Sequence, residues 1–314
     1  MNDDATTMPA TTSPDTERPA SVLICTDAAY DPDDAISLAL AAFTVEDLTV
    51  ITSDETGGRR ARWTRRFLDL LGRPDVEVAA GPDIGEARRF LMDDMIADVP
   101  PQSTDVLGAV TRACERSPGP VAWIGQGPMT NLAAVVNAYP GLADRIRVTQ
   151  QGGWLDHYRD KTRASHNLRL DPAAAGLALR TVLRPRLLLS DFTGVDDITV
   201  TAGDDLYRML TAPGAPEWAR WVAVNLSRWF DRDKPSRMHD PLALSAALGH
   251  PFVQFGDCRV RIEADARLYR DPDGRLIRVA TAVDYRSFMA WLTGVLTAGL
   301  ESTNPGQLQP STVG

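Results

Sequence analysis

Residues 21–44 read SVLICTDAAYDPDDAISLALAAFT, the stretch that decides the architecture. Val22–Cys25 form a short, continuously apolar run, the pattern of a strand covered on both faces. Asp33–Phe43, DDAISLALAAF, opens with two acids suited to a helix N-terminus and then continues as a helix former. A strand running straight into a helix is half of a β-α-β unit, and the alternation recurs. DLTVITS precedes RRARWTRRFLDLLG, VEVAAG precedes IGEARRFLMDDMIA, and VAWIG precedes MTNLAAVVNA. IRVTQQGG then precedes PAAAGLALRTVL, and RLLLSD precedes a longer helical stretch. This predicts an α/β fold: an open, mostly parallel, Rossmann-like sheet with helices on both faces. Near the end the pattern changes. In CRVRIEADARLYRDPDGRLIRVATAVD two strand-like runs flank Asp271-Pro272-Asp273-Gly274, which predicts a C-terminal antiparallel hairpin.

The 314 residues are 44% hydrophobic and 24% charged, which excludes collagen-like, coiled-coil and wholly disordered chains. No apolar run approaches the roughly 18 residues of a membrane helix. The start, MNDDATTMPATTSPDTERPA, has no basic end followed by an apolar stretch, so no secretory signal is expected and the expected location is cytoplasmic. A net charge of -9 argues against nucleic acid and anionic membrane as partners. Cys25, Cys114 and Cys258 are too few and too far apart for a disulfide framework or a zinc site. Residues 1–19 and 302–314 are poor in large apolar residues and are expected to be disordered. With no linker between, 20–301 reads as one domain.

In open α/β sheets ligands sit at the carboxyl ends of strands, so functional residues are sought just after the apolar runs. Asp27, Asp31, Asp33 and Asp34 place four carboxylates within eight residues, and they repel one another unless something positive neutralises them. Helix capping accounts for Asp33 and Asp34. It does not account for Asp27 at a strand end, where a hard, oxygen-seeking cation does. A second edge, Gly125-Gln126-Gly127-Pro128-Met129-Thr130-Asn131, has glycines on both sides of Gln126, which lets backbone approach a ligand or simply punctuates a turn. A third, His239-Asp240-Pro241, is either a capped helix start or a contributor to a site.

Taken in order, these segments resemble the calcium-dependent nucleoside hydrolases, the inosine-uridine-preferring N-ribohydrolase family. Its signature in many bacterial members is DTDxGxDxDDAxAL, and residues 25–38 here read CTDAAYDPDDAISL. The resemblance continues through GPMTN (127–131), Gly152-Gly153, HNLRLDPAAA from His166 and SDFT (190–193). It ends with MHDPLAL (238–244) and VATAVDYRSFMAWL from Val279. The resemblance implies a Ca2+ cofactor held by Asp27, Asp34, Asp240 and the backbone carbonyl of Gln126, which stands where the family usually has Thr. It also implies that Asp33 binds the ribose 2′-hydroxyl, that Asn167 reaches the sugar, and that Asp240 touches substrate as well as metal. His239 aligns with a histidine implicated in protonating the leaving base in part of the family. The implied reaction is hydrolysis of the N-glycosidic bond of a ribonucleoside or modified riboside by a Ca2+-bound water, with Asp27 as general base. The implied partner is thus a small-molecule nucleoside, and the implied assembly a homodimer or homotetramer. The chemistry is coherent, since carboxylates suit calcium and also stabilise the positive charge that builds on the sugar ring.

Four positions depart from the pattern. Cys25 replaces the first Asp of the signature and Ala29 its Gly. ITSDETGG lacks the Asn usually found beside the ribose and has Gly57-Gly58. Ser165 replaces the Glu that contacts the outer sugar hydroxyls, which predicts tolerance of 5′-modified or 5′-anionic ribosides. Two other functions compete. A haloacid-dehalogenase-like phosphatase also places DxD after its first strand, but its nucleophile position holds Cys25 here. A non-catalytic, metal-dependent riboside-binding protein would keep the carboxylates while losing sugar contacts.

Overall fold

The computed structural model describes residues 18–85, 90–232 and 234–303. Most of the two segments expected to be disordered, 1–17 and 304–314, lies outside them. The first half of the chain runs β1 (Ser21–Thr26), α1 (Pro32–Thr44), β2 (Asp47–Thr52), α2 (Arg59–Leu70), β3 (Glu77–Ala80), α3 (Val106–Arg116), β4 (Val121–Gly125), α4 (Thr130–Ala138) and β5 (Ile146–Gln151). It continues through α5 (His166–Leu170), α6 (Pro172–Thr181), β6 (Arg186–Leu188), α7 (Ser190–Thr193), β7 (Thr199–Val200), α8 (Asp205–Leu210), α9 (Glu217–Phe230) and β8 (Ser236–Arg237). The remainder is α10 (His239–Ala247), β9 (Val253–Ile262), β10 (Leu268–Arg270), β11 (Arg275–Val283) and α11 (Tyr285–Ser302).

Nine strands form one sheet in the order β10-β9-β11-β6-β5-β4-β1-β2-β3, and β7 pairs with β8 apart from it. From β11 to β3 all neighbours are parallel, as the strand–helix alternation predicts. The C-terminal expectation needs correcting in detail. The run before Asp271 is two strands, since the chain reverses within 263–267, where Ala266 takes a left-handed φ of 63°. β9 pairs antiparallel with both β10 and β11 and lies between them. The Asp271–Gly274 turn therefore carries the chain across the end of β9 and does not close a two-stranded hairpin. The helix expected over 84–97 is also absent where it can be seen: residues 86–89 lie outside the described ones, and 93–95 form a single 3₁₀ turn.

Side chains alternate across the sheet and feed two cores. Val22 and Ile24 of β1 pack with α1, α2, α9, α10 and α11, whereas Leu23 and Cys25 face α3, α4 and α6. α1 is buried from Pro32 to Ala42 and α10 from Asp240 to Ala247, because each has helices as well as sheet around it. These central helices lie side by side, so their acidic first turns meet at the carboxyl edge of β1, β4 and β5. Among the described residues no helix is long and apolar enough to cross a membrane.

Candidate active site

A cavity of about 260 Å³ opens at this edge. Asp27, Asp31, Asp33, Asp34, Gln126, Ser165, Asn167, His239 and Asp240 all line it, so four distant segments of sequence become one surface. Asp33, Asp34 and Asp240 are the closest group, each offering a carboxylate oxygen within 4.8 Å of the others. Asp240 donates its backbone N–H to Asp33 at 3.1 Å, and Thr26 donates its hydroxyl to Asp34. Asp27 lines the cavity from the end of β1 but stands outside that trio. Gly127 makes room for it, since a Cβ there would lie 3.3 Å from the Asp27 Cβ and 2.3 Å from the Ser53 hydroxyl. The Gln126 carbonyl accepts from the Asn167 side-chain amide at 3.0 Å, and the Gln126 amide donates to the Asp240 carbonyl at 3.1 Å. Asn167 also donates to Gln151 Oε1 at 2.8 Å. Ser165 turns its hydroxyl to the Gly153 N–H at 2.6 Å.

Burial, followed by mutual repulsion, holds Asp33, Asp34 and Asp240 well above the usual carboxylate range. Burial likewise pushes Asp31 up to about 6, against the hydrogen bond it accepts from Ser236 at 2.8 Å. Three buried, convergent carboxylates with all-oxygen donors are what a hard divalent cation requires, so these residues fit a metal. Burial, with Arg237 and Arg159 adding to it, pushes the partly buried His239 imidazole down to about 3. Cys25 is a buried thiol raised to about 11, hence unreactive, and it accepts a contact from the Asn131 amide at 3.3 Å. Asn131, of the GPMTN segment, also donates to the Thr52 carbonyl at 2.9 Å and so ties β1 to β2.

The family model for inosine-uridine preferring nucleoside hydrolases matches residues 22–290. The chain belongs to that family. As a nucleoside hydrolase it acts on N-glycosyl compounds, in keeping with the resemblance read from its motifs. The pyrimidine-specific ribonucleoside hydrolase RihA of Enterobacter sp. (strain 638) is 27% identical over 283 residues, 81% of this chain and 85% of that protein. RihA of Citrobacter koseri is 30% identical over 167 residues, which cover 48% of this chain and only 54% of that relative. In structure, the purine-preferring ribonucleoside hydrolase from Gardnerella vaginalis superposes with a TM-score of 0.74 at 19% identity, covering 90% of this chain and 99% of that one. A plant nucleoside hydrolase, PpNRh1, gives 0.72 at 18% identity, covering 89% and 99%.

Within this hydrolase several supporting residues carry no motif. Arg60 of α2 is 1% exposed and sits behind the aspartate loop. It donates to the carbonyls of Asp27, Ala28 (2.6 Å) and Asp54 (2.7 Å), and its guanidinium lies 3.5 Å from the Asp54 carboxylate. Ala29, where the signature has Gly, has a left-handed φ of 72°. Asn225 of α9 donates to the Tyr30 carbonyl at 3.1 Å. The departures behind β2 also become clear. No residue of 53–58 lines the cavity. Glu55 instead turns inward and accepts the backbone N–H groups of Thr56, Arg60 and Ala61, which caps α2. The SDFT segment has a structural use: the Asp191 carboxylate collects the N–H groups of Leu155 (3.2 Å), Asp156 (3.0 Å) and His157 (2.7 Å).

Proposed function

We propose that this hydrolase cleaves the N-glycosidic bond of a riboside with water, aided by one Ca2+ ion at the floor of the cavity. The observation that carries the reading is the trio of buried carboxylates on α1 and α10, whose mutual repulsion calls for a cation. Asp34 and Asp240 would hold the ion, with Asp27 and the Gln126 carbonyl as further ligands and Asp33 within reach of the same point. When bound, the ion supplies a Lewis acid that makes water and sugar hydroxyls more acidic.

The chain's own residues do the rest. Asp33 and Asn167 bind sugar hydroxyls, and each is held by a hydrogen bond to the opposite wall of the cavity. Asp27, at the end of β1, takes the proton from the attacking water through a carboxylate oxygen. Attack at C1′ forms the C–O bond while the C–N bond breaks and its electron pair leaves with the base. Positive charge developing on the ring falls beside the aspartates, which stabilise it. His239 holds the departing base with a hydrogen bond from its ring N–H. The base leaves with the C–N electron pair and takes a proton from solvent, while the proton held by Asp27 returns to solvent, so the products are the free sugar and the neutral base.

The test is reducing-sugar release from a panel of purine and pyrimidine nucleosides and their 5′-monophosphates, with and without chelator. Release that chelator abolishes and Ca2+ restores is expected. A panel on which no riboside, plain or phosphorylated, is cleaved at millimolar Ca2+ would sink the reading in favour of a binding protein.

A further inference from the structure

The cavity is electrically divided. Its carboxylates, Asp27, Asp31, Asp33, Asp34 and Asp240, are buried or nearly so, whereas Arg159 and Lys234 stand at its mouth. The chain has only two lysines, Lys161 and Lys234. Lys234 lines this mouth, and Lys161 lines a second depression of about 580 Å³ that shares Trp154, Arg159 and His166 with the cavity. Arg163 and Arg169 border that depression too, with Asp160, which pairs with Arg163 at 2.8 Å. In a protein of net charge -9 this concentration of cations runs against the overall balance.

Arg159 is the best-placed member of the set. Its guanidinium donates to the Gly194 carbonyl at 2.6 Å and lies so close over Gly194 that a Cβ there would stand 2.3 Å from Nη2. Among the described residues no carboxylate pairs with Arg159 or with Lys234, whose ammonium rests 5.6 Å from the Trp229 ring centre. The loop that carries Arg159 is rigidly built. Asp191 gathers three of its N–H groups, Asp156 makes a two-pronged pair with Arg270 at 2.8 and 2.6 Å, and Tyr158 exchanges hydrogen bonds with the backbone of Leu268 at 2.8 Å. A cation pre-positioned over a cavity mouth costs little ordering when an anion arrives, and the guanidinium fork matches a phosphoryl group.

We propose that the substrate is a riboside bearing a 5′-phosphoryl group, a nucleoside 5′-monophosphate, with Arg159 as the phosphate-binding residue and Lys234 and His166 beside it. The proposal rests on the reading above, in which Asp33 and Asn167 bind the sugar hydroxyls at the carboxylates, and takes these to be the 2′,3′-diol. With the diol at the floor, C1′ and C5′ are the two arms left to point outward, and His239 occupies the base side. The other wall is formed by Ser165, hydrogen-bonded to Gly153, with His166 next to it. Among the described residues that line the cavity on that wall, none is a carboxylate that would repel phosphate or grip a plain 5′-hydroxyl. Hydrolysis then yields free base and ribose 5-phosphate.

Two measurements at saturating Ca2+ test this. The first is calorimetric binding of ribose and of ribose 5-phosphate, which does not depend on turnover. The second is kcat/KM for uridine, uridine 5′-monophosphate and orotidine, whose carboxylate sits on the base. A phosphate advantage of roughly 10- to 100-fold is expected in both, from one to two charge-assisted contacts. It should shrink at high salt. Arg159→Gln should collapse the ratio of phosphorylated to plain substrate, and Arg159→Lys should keep part of it. If ribose 5-phosphate binds no tighter than ribose, the proposal is overturned whatever the activity. If orotidine gains and the monophosphate does not, the anion site belongs to the base and the 5′ assignment is wrong. Tighter binding of ribose 5-phosphate without cleavage of any riboside would uphold the anion site while refuting hydrolysis.

Discussion

Asp33 accepts the backbone N–H of Asp240 at 3.1 Å, which joins two carboxylate-bearing turns 207 residues apart in the chain. Because the donor is main chain, the first turn of α10 is pinned to the first turn of α1 without any help from a cation. The like charges of Asp33, Asp34 and Asp240 are thus held together by the packing of two buried helices. The cost of that arrangement is borne by the fold when no cation is bound.

That cost has a pH signature. Asp33, Asp34 and Asp240 are raised well above their ordinary range in the folded protein, and Asp31 to about 6, so the folded state holds more protons than the unfolded one in this window. Stability therefore falls as pH rises from about 4 through 6, the reverse of the usual carboxylate behaviour. In chelator, Tm should drop across that interval. Added Ca2+ should raise Tm at pH 7 by roughly 5–10 °C at about a hundredfold excess over Kd. A flat chelator profile together with no Ca2+ shift would mean that the trio is not a cation site.

Ala29 occupies the left-handed region, where an L side chain is disfavoured by about 1–2 kcal/mol. Removing its Cβ relieves that strain but loses a buried methyl, about 0.8 kcal/mol, and adds about 0.5–1 kcal/mol of unfolded-state entropy. The terms nearly cancel, so Ala29→Gly should lie within about 1 kcal/mol of the parent. Ala41→Gly, in the buried interior of α1, has no strain to relieve and should cost about 2 kcal/mol. Urea denaturation compares them directly, and equal losses would show that φ at Ala29 stores nothing.

The two sides of the site were unequally legible from sequence. Asp27, Asp34 and Asp240 could be found because strand-to-helix edges are marked by an apolar run followed by polar residues. Arg60 could not, since it is one of five arginines in RRARWTRR and nothing local says which one turns inward. The Asp271–Gly274 turn was recognisable, but its pairing was not. EADAR, the reversal that splits the preceding run, contains no Gly or Pro to mark it, and which strands it brings together is decided by non-local contacts. Arg159 lies in a loop whose path depends on Asp191 and Arg270, far away in sequence.

Arg60 carries a prediction of its own. Arg60→Met removes the donor to three buried carbonyls and leaves Asp54 without its cation, so a loss of about 3–5 kcal/mol is expected. Adding Asp54→Asn should recover part of it, because the stranded charge is then gone. Chemical denaturation of the single and double variants measures the coupling. Strict additivity would show that the pair does not interact and that Arg60 acts only through the carbonyls.

His239 bears on the leaving group. Burial, with Arg237 and Arg159 nearby, pushes it down to about 3, and its Nδ1 has no hydrogen-bond partner among the described residues. At neutral pH the ring is therefore uncharged and carries one N–H, which it offers to the base as a hydrogen bond and not as a mobile proton of an imidazolium. Two consequences separate this role from simple positioning of Asp240. His239→Ala should slow substrates with poor leaving bases by roughly 10²–10⁴-fold and scarcely affect a p-nitrophenyl riboside, whose leaving group needs no donor. His239→Gln, which retains an N–H donor, should restore part of the loss. Since the imidazole does not titrate between pH 5.5 and 8, the parent and His239→Gln should have kcat/KM profiles of the same shape there. Equal losses on both leaving groups, or a limb near pH 6.5 that vanishes in His239→Gln, would refute the assignment.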